Sequence, residues 1–206
     1  MSQWLPLPGL RIVPGFLDAQ SQAALLRDVH EVFTAAPLYS PRMPKSGKPL
    51  SVRMTNCGTL GWVSDRRGYR YTSHDPLSGQ PWPPMPSVFS ALALRAAQAT
   101  GFEDFNPDAC LINRYVPGAR LTLHQDKDEN DFSAPIVSVS LGLPAIFLFG
   151  GNARKDKQRR IPLQHGDVVV WGGSARHYHH GVLPLKEGHH SILGSQRINL
   201  TFRRAR

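Results

Sequence analysis

Two periodicities divide the chain. Within Asp18 to Thr34, Leu25, Val29 and Val32 recur at helical intervals with Ala24 beside them, which predicts an amphipathic helix. A second helix is predicted over Ser87 to Thr100, opened by a serine cap. Between them lie a turn-rich stretch from Pro37 to Pro49, a strand candidate at Leu50 to Asn56, and Gly58 to Tyr71, which sets Trp62, Tyr69 and Tyr71 on loops or short strands. The run Pro81-Trp82-Pro83-Pro84-Met85-Pro86 closes that region. From Ala109 onward the spacing shortens to strands separated by Gly, Pro and Asp, the pattern of an antiparallel sandwich or barrel.

Two of these strands carry more than fold information. After the turn at Val116-Pro117-Gly118, Arg120 to His124 alternates in polarity, so His124, Asp126 and Asp128 are expected on one side of an extended segment. An imidazole and a carboxylate so spaced, joined by a later imidazole such as His180 before Gly181, form the facial triad of non-haem Fe(II) oxygenases. By itself His-x-Asp is also a common surface pair. Near the C-terminus, Arg197 to Arg203 alternates strictly, with Ile198, Leu200 and Phe202 on one face and Arg197, Asn199, Thr201 and Arg203 on the other. The polar face suits either a half-exposed strand in water or a grip on a dicarboxylate, whose geometry matches guanidinium forks.

Composition narrows the partners. The 206 residues, 41% of them hydrophobic, suffice for one core and one domain. No apolar run reaches bilayer length, and the opening MSQWLPLPGL lacks the basic-then-apolar pattern of a leader, so a cytoplasmic protein is expected. Cys57 and Cys110 are too few for a disulfide framework or a thiolate zinc cage and are read as packing residues. The net charge of +9, from 24 Lys and Arg against 15 Asp and Glu, favours polyanionic partners. Part of it sits in Arg154 to Arg160, an expected exposed hairpin loop that either solubilises the chain or touches phosphate.

In order along the chain, Leu111-Ile112-Asn113-Arg114-Tyr115, HQDKDE from His124, PIVSVSLGLPAIF from Pro135, HGDVVVWGG from His165 and RINLTFR from Arg197 resemble the AlkB family of Fe(II)- and 2-oxoglutarate-dependent nucleic-acid dealkylases. The resemblance covers nearly the whole chain and is closest to bacterial AlkB. It implies a double-stranded β-helix, a jelly-roll relative, at 109–206, with helices and a nucleotide-recognition lid at 1–108. The lid is expected to draw on Pro37 to Asn56.

It also implies roles. His124, Asp126 and His180 would bind Fe(II), with His180 preferred over His165, His177, His179, His189 and His190 because it precedes Gly181 and keeps the family spacing from Trp171. Asn113, Tyr115, Arg197, Asn199, Thr201 and Arg203 would line the 2-oxoglutarate pocket, with Arg203 near the metal end. Trp62 and Tyr69 would hold the flipped nucleotide, Asp128 would favour positively charged lesions, and Arg154 would contact the nucleic acid. The activity implied is oxidative demethylation of 1-methyladenine and 3-methylcytosine in DNA, with RNA a second candidate, O2 consumed and formaldehyde, succinate and CO2 released; a monomer is the simplest expectation. The alternatives are a related oxygenase acting on a small molecule or protein side chain, and a non-catalytic nucleic-acid-binding module.

Overall fold

The computed structural model describes residues 7–206; residues 1–6, which open the stretch read above for a leader, lie outside the described residues. Two antiparallel sheets dominate. The larger contains β1 (Leu10–Val13), β10 (Val168–Trp171), β7 (Ile136–Gly142), β12 (Arg197–Arg203), β5 (Ala109–Tyr115) and β2 (Arg53–Gly58), in that order. The smaller contains β6 (Leu121–His124), β11 (His180–Val182), β8 (Ala145–Phe149) and β9 (Arg159–Leu163). A separate hairpin joins β3 (Gly61–Asp65) to β4 (Gly68–Thr72). Because β1 and β2 pair with β10 and β5, the large sheet draws on both halves of the chain.

The helices α1 (Ala19–Ala35) and α2 (Ser87–Gln98) explain why β12 alternates as it does. Leu25, Val29 and Val32 of α1 and Phe89, Leu92 and Ala96 of α2 share a core with Ile198, Leu200 and Phe202 of β12. Burying each such large apolar side chain contributes roughly 1.5–3 kcal/mol. A second core, with Tyr115, Phe147, Phe149, Ile161 and Trp171, lies between the two sheets. The large sheet is therefore covered on both faces, and β12 is buried along its whole length. Its polar residues face the interior of the sandwich, and the half-exposed reading is excluded.

Other boundaries differ locally from the spacing. Asp18 caps α1, its Oδ1 accepting from Ser21 N at 2.7 Å. Ser87, expected to cap α2, is instead its first residue; Pro86 holds the cap position and no side chain bonds there. The strand expected at Leu50 starts at Arg53, because the preceding segment folds back with Leu50 N bonded to Pro41 O at 2.8 Å. Arg159 and Arg160 belong to β9 rather than to the preceding loop. Cys57 and Cys110 pair across β2 and β5 inside the core. No helix among the described residues is long and apolar enough to cross a membrane.

Candidate active site

Strand pairing brings the sequence-distant imidazoles together. His124, the last residue of β6, stands opposite His180, the first of β11. Close pairing demands the glycine that follows: a Cβ on Gly181 would lie 2.7 Å from Leu121 O. His124 Nδ1 faces Thr122 O at 2.8 Å and His180 Nδ1 faces Tyr178 O at 3.0 Å. Each carbonyl requires a proton on Nδ1, which leaves the Nε2 lone pair for another partner. Both Nε2 atoms converge on Asp126, at 3.7 Å from Oδ1 and 3.6 Å from Oδ2. Ligand atoms of His124, Asp126 and His180 all lie within 4.8 Å of one another, the one such cluster among the described residues.

The electrostatics suit a cation there. Desolvation by the surrounding wall, with His180 adjacent, pushes the His124 imidazole down to about 4, so it stands neutral and ready to ligate. Burial alone would raise the Asp126 carboxyl, but the Arg203 guanidinium holds it well below the usual carboxylate range. Arg203 donates to Asp126 Oδ2 from Nη2 at 2.8 Å and from Nε at 3.1 Å.

The triad opens into a cavity of about 400 Å³. Asn113, Tyr115, Arg197, Asn199, Thr201 and Arg203 line it. Most of their polar atoms are satisfied: Asn199 Nδ2 donates to Ser138 Oγ at 2.8 Å and Val139 O at 2.9 Å, and Thr201 Oγ1 donates to Asn199 Oδ1 at 3.0 Å. Arg197 differs. It lies over the Tyr115 ring, 5.0 Å from the centroid, and Nη2 donates to Ser140 Oγ at 3.0 Å. Its Nε and Nη1 and the Tyr115 hydroxyl have no hydrogen-bond partner among the described residues. A buried guanidinium with idle donors matches an anion that the chain itself does not supply. The donor set thus fits both an Fe(II) ion and the far carboxylate of 2-oxoglutarate.

The remaining predicted residues line the same cavity. Trp62 and Tyr69 stack, with centroids 5.5 Å apart and planes at 16°, and Tyr69 is 52% exposed. Trp62 Nε1 donates to Asp128 Oδ2 at 2.8 Å, so Asp128 turns to the hairpin rather than to the ligand cluster. The hairpin is held to β2 by Asn56, whose side chain bonds both Trp62 N and Trp62 O as a neighbouring strand would. Arg154 is exposed on the β8–β9 connection. Met43, from the turn-rich segment, and Leu50, just after it, also reach the cavity. Of the competing histidines only His179 lines it, with Nδ1 facing Gly151 O at 3.3 Å.

Some residues escaped sequence reasoning. Glu129 and Arg176 are buried beside the triad, 3.2 Å apart, and Ser138 and Ser140 support the arginine strand. Glu129 stands within the HQDKDE run, which was a usable signal; Arg176 and the serines had none, because their partners are far away in sequence.

Comparison with known proteins agrees with this arrangement. Residues 9–203 match the 2OG-Fe(II) oxygenase superfamily. The chain is 57% identical to the alpha-ketoglutarate-dependent dioxygenase AlkB of Escherichia coli K12 over 88% of its own length and 83% of the relative's. It is 52% identical to the protein of that name from Salmonella typhimurium LT2, over 96% of this chain and 91% of that one. The solved structure of OsALKBH1 superposes with a TM-score of 0.83 at 31% identity, covering 98% of this chain and 99% of the other. The chain therefore belongs to the AlkB family of the 2OG-Fe(II) oxygenase superfamily, and its fold is the jelly roll of that family.

Proposed function

We propose that this protein is a direct-reversal repair enzyme that removes methyl groups from N-alkylated bases, 1-methyladenine and 3-methylcytosine foremost, in DNA and also in RNA. The proposal takes 1–206 as one catalytic domain, acting as a cytoplasmic monomer, with the lid in 1–108 and most of the jelly roll in 109–206. The observation that carries it is the meeting of the His124–Asp126–His180 cluster, the idle guanidinium of Arg197 and the Trp62–Tyr69 stack in one cavity. Two high-identity relatives are named alpha-ketoglutarate-dependent dioxygenases, and the charge of +9 suits a polyanion.

His124, Asp126 and His180 would hold Fe(II), which with 2-oxoglutarate and O2 supplies the oxidation of the N-methyl carbon, leaving succinate, CO2 and, after the hydroxymethyl group departs, formaldehyde. Arg197 and Tyr115 receive the far carboxylate of the co-substrate, while Arg203 keeps Asp126 ionised and guards the metal end. Trp62 and Tyr69 hold the base after it leaves its stack, since a stacked base cannot reach a buried site. Asp128 offers negative charge beside the base, favouring cationic lesions over neutral bases, and Arg154 meets the phosphate backbone.

Mass spectrometry of a 3-methylcytosine oligonucleotide incubated with the protein, Fe(II), 2-oxoglutarate and air tests the proposal. Loss of one methyl group with matching succinate, absent in Asp126→Ala, is expected. An unchanged oligonucleotide with continued 2-oxoglutarate turnover would make the substrate a small molecule or protein side chain, and no turnover would leave only a binding role.

A further inference from the structure

The hairpin carrying Trp62 and Tyr69 is fastened to the segment that carries Asp126 by two hydrogen bonds from one cross-strand pair. Trp62 and Tyr71 stand opposite each other in β3 and β4. Trp62 Nε1 reaches Asp128 Oδ2 at 2.8 Å, and Tyr71 OH donates to Glu129 Oε1 at 2.6 Å.

Glu129 is also the anion between two guanidiniums. Its Oε1 lies 3.3 Å from Arg203 Nε and its Oε2 3.2 Å from Arg176 Nη2. Arg176 donates from Nη1 to the backbone carbonyl of Asp126 at 2.9 Å, and Arg203 holds the Asp126 carboxylate. Asp126 is thus gripped at its main chain by one arginine and at its side chain by the other. The side chains of Arg176, Glu129, Arg203 and Asp126 are 2%, 1%, 7% and 9% exposed. Two cations and two anions balance, and with water excluded, loss of one charge strands its partners.

We infer that Glu129, with Arg176 and Tyr71, is a positioning residue: it sets Asp126 and Arg203 for the metal and 2-oxoglutarate, and through Tyr71 ties their placement to the hairpin that receives the base. The inference rests on the oxygenase reading above. Glu129 need not touch substrate, metal or co-substrate to act. Through Arg203 it fixes the direction of Asp126 Oδ2, and through Arg176 the backbone behind it. Movement of the hairpin pulls on Tyr71, so a base seated against Trp62 and Tyr69 steadies the same network that orients the ligands.

The test compares the parent chain with Glu129→Gln, which keeps the shape and an acceptor for Tyr71, and with Tyr71→Phe, which removes only the hydroxyl. Binding of Mn(II), then of 2-oxoglutarate, is measured without oxygen, beside thermal unfolding. Glu129→Gln is expected to unfold cooperatively while binding both about tenfold more weakly. Tyr71→Phe is expected to bind both as the parent does, yet to consume 2-oxoglutarate on a 3-methylcytosine oligonucleotide faster than it releases formaldehyde. Parent-like binding by Glu129→Gln overturns the positioning role, and matched consumption and release in Tyr71→Phe overturns the link to the hairpin. If Glu129→Gln loses its cooperative transition, Arg176→Lys takes its place, with the same expected loss and the same overturning result. A parent chain that binds Mn(II) and 2-oxoglutarate but demethylates nothing removes the nucleic-acid reading and the hairpin link together, while the binding measurements still decide the role of Glu129.

Discussion

Arg203 sends both of its hydrogen bonds to a single oxygen of Asp126, Oδ2, at 2.8 and 3.1 Å. The carboxylate is thereby oriented, with Oδ1 left toward His124. Arg203→Ala strands a buried anion, and the expected loss in urea unfolding of the metal-free chain is about 3–5 kcal/mol. Equal stability of variant and parent would show that Asp126 needs no partner.

Arg197 makes the opposite prediction. Its Nε and Nη1 are buried without partners, and burial lowers its affinity for its own proton. Arg197→Met removes that burden, so the variant should melt no lower than the parent in the absence of 2-oxoglutarate. It should bind 2-oxoglutarate roughly 10- to 100-fold more weakly, the worth of a charged hydrogen-bonded pair. Calorimetry and co-substrate titration read the two effects separately, and unchanged affinity would rule out Arg197 as the carboxylate receptor.

Asp128 faces Trp62 rather than the ligand cluster. Asp128→Ala should keep its affinity for Mn(II) while losing at least about fivefold in preference for cationic 3-methylcytosine over neutral 3-methylthymine, from roughly 1 kcal/mol of lost attraction. Metal loss equal to that of Asp126→Ala would refute this division of labour.

His165 supplies a pH dependence away from the site. Its Nδ1 accepts from Gly142 N at 2.8 Å, so the proton sits on Nε2, which meets Gln22 Oε1 at 2.8 Å. Partial burial, then the neighbouring His190, lower its pKa below the ordinary 6.5. The unfolded chain protonates His165 before the folded one does, so the stability it contributes is complete above that value and declines as the pH falls below it. Urea unfolding between about pH 7.5 and 5.5 should show a shallower decline in His165→Gln, whose amide can still accept from Gly142. Identical slopes would clear His165 of the effect.

Sequence spacing carried the helices and the alternation of β12, because each depends on residues close together in the chain, while the grouping of His180 with His124 and Asp126 came from the resemblance to a known family. It did not show which face of β12 met water, since that depends on α1, α2 and the smaller sheet all packing against one strand. The salt links of Glu129 were hidden for a similar reason: the HQDKDE run marks the residue, but its partners Arg176 and Arg203 come from other parts of the chain. Asp128 does line the same cavity as His124 and Asp126, but the chain leaves strand geometry after His124, so strict alternation is not what places it there.

The pairing of His124 with His180 across β6 and β11 makes the span between two of the side chains that could hold a metal a dimension of the sheet itself. Neighbouring antiparallel strands lie about 4.7–4.9 Å apart whatever their side chains, so the separation of the two backbones is set by strand pairing, even with the register shift between His180 and Val182. Only Asp126, which lies beyond the strand, is held by side chains and can be retuned. Redesign of this site for another ion has one adjustable jaw and two fixed ones.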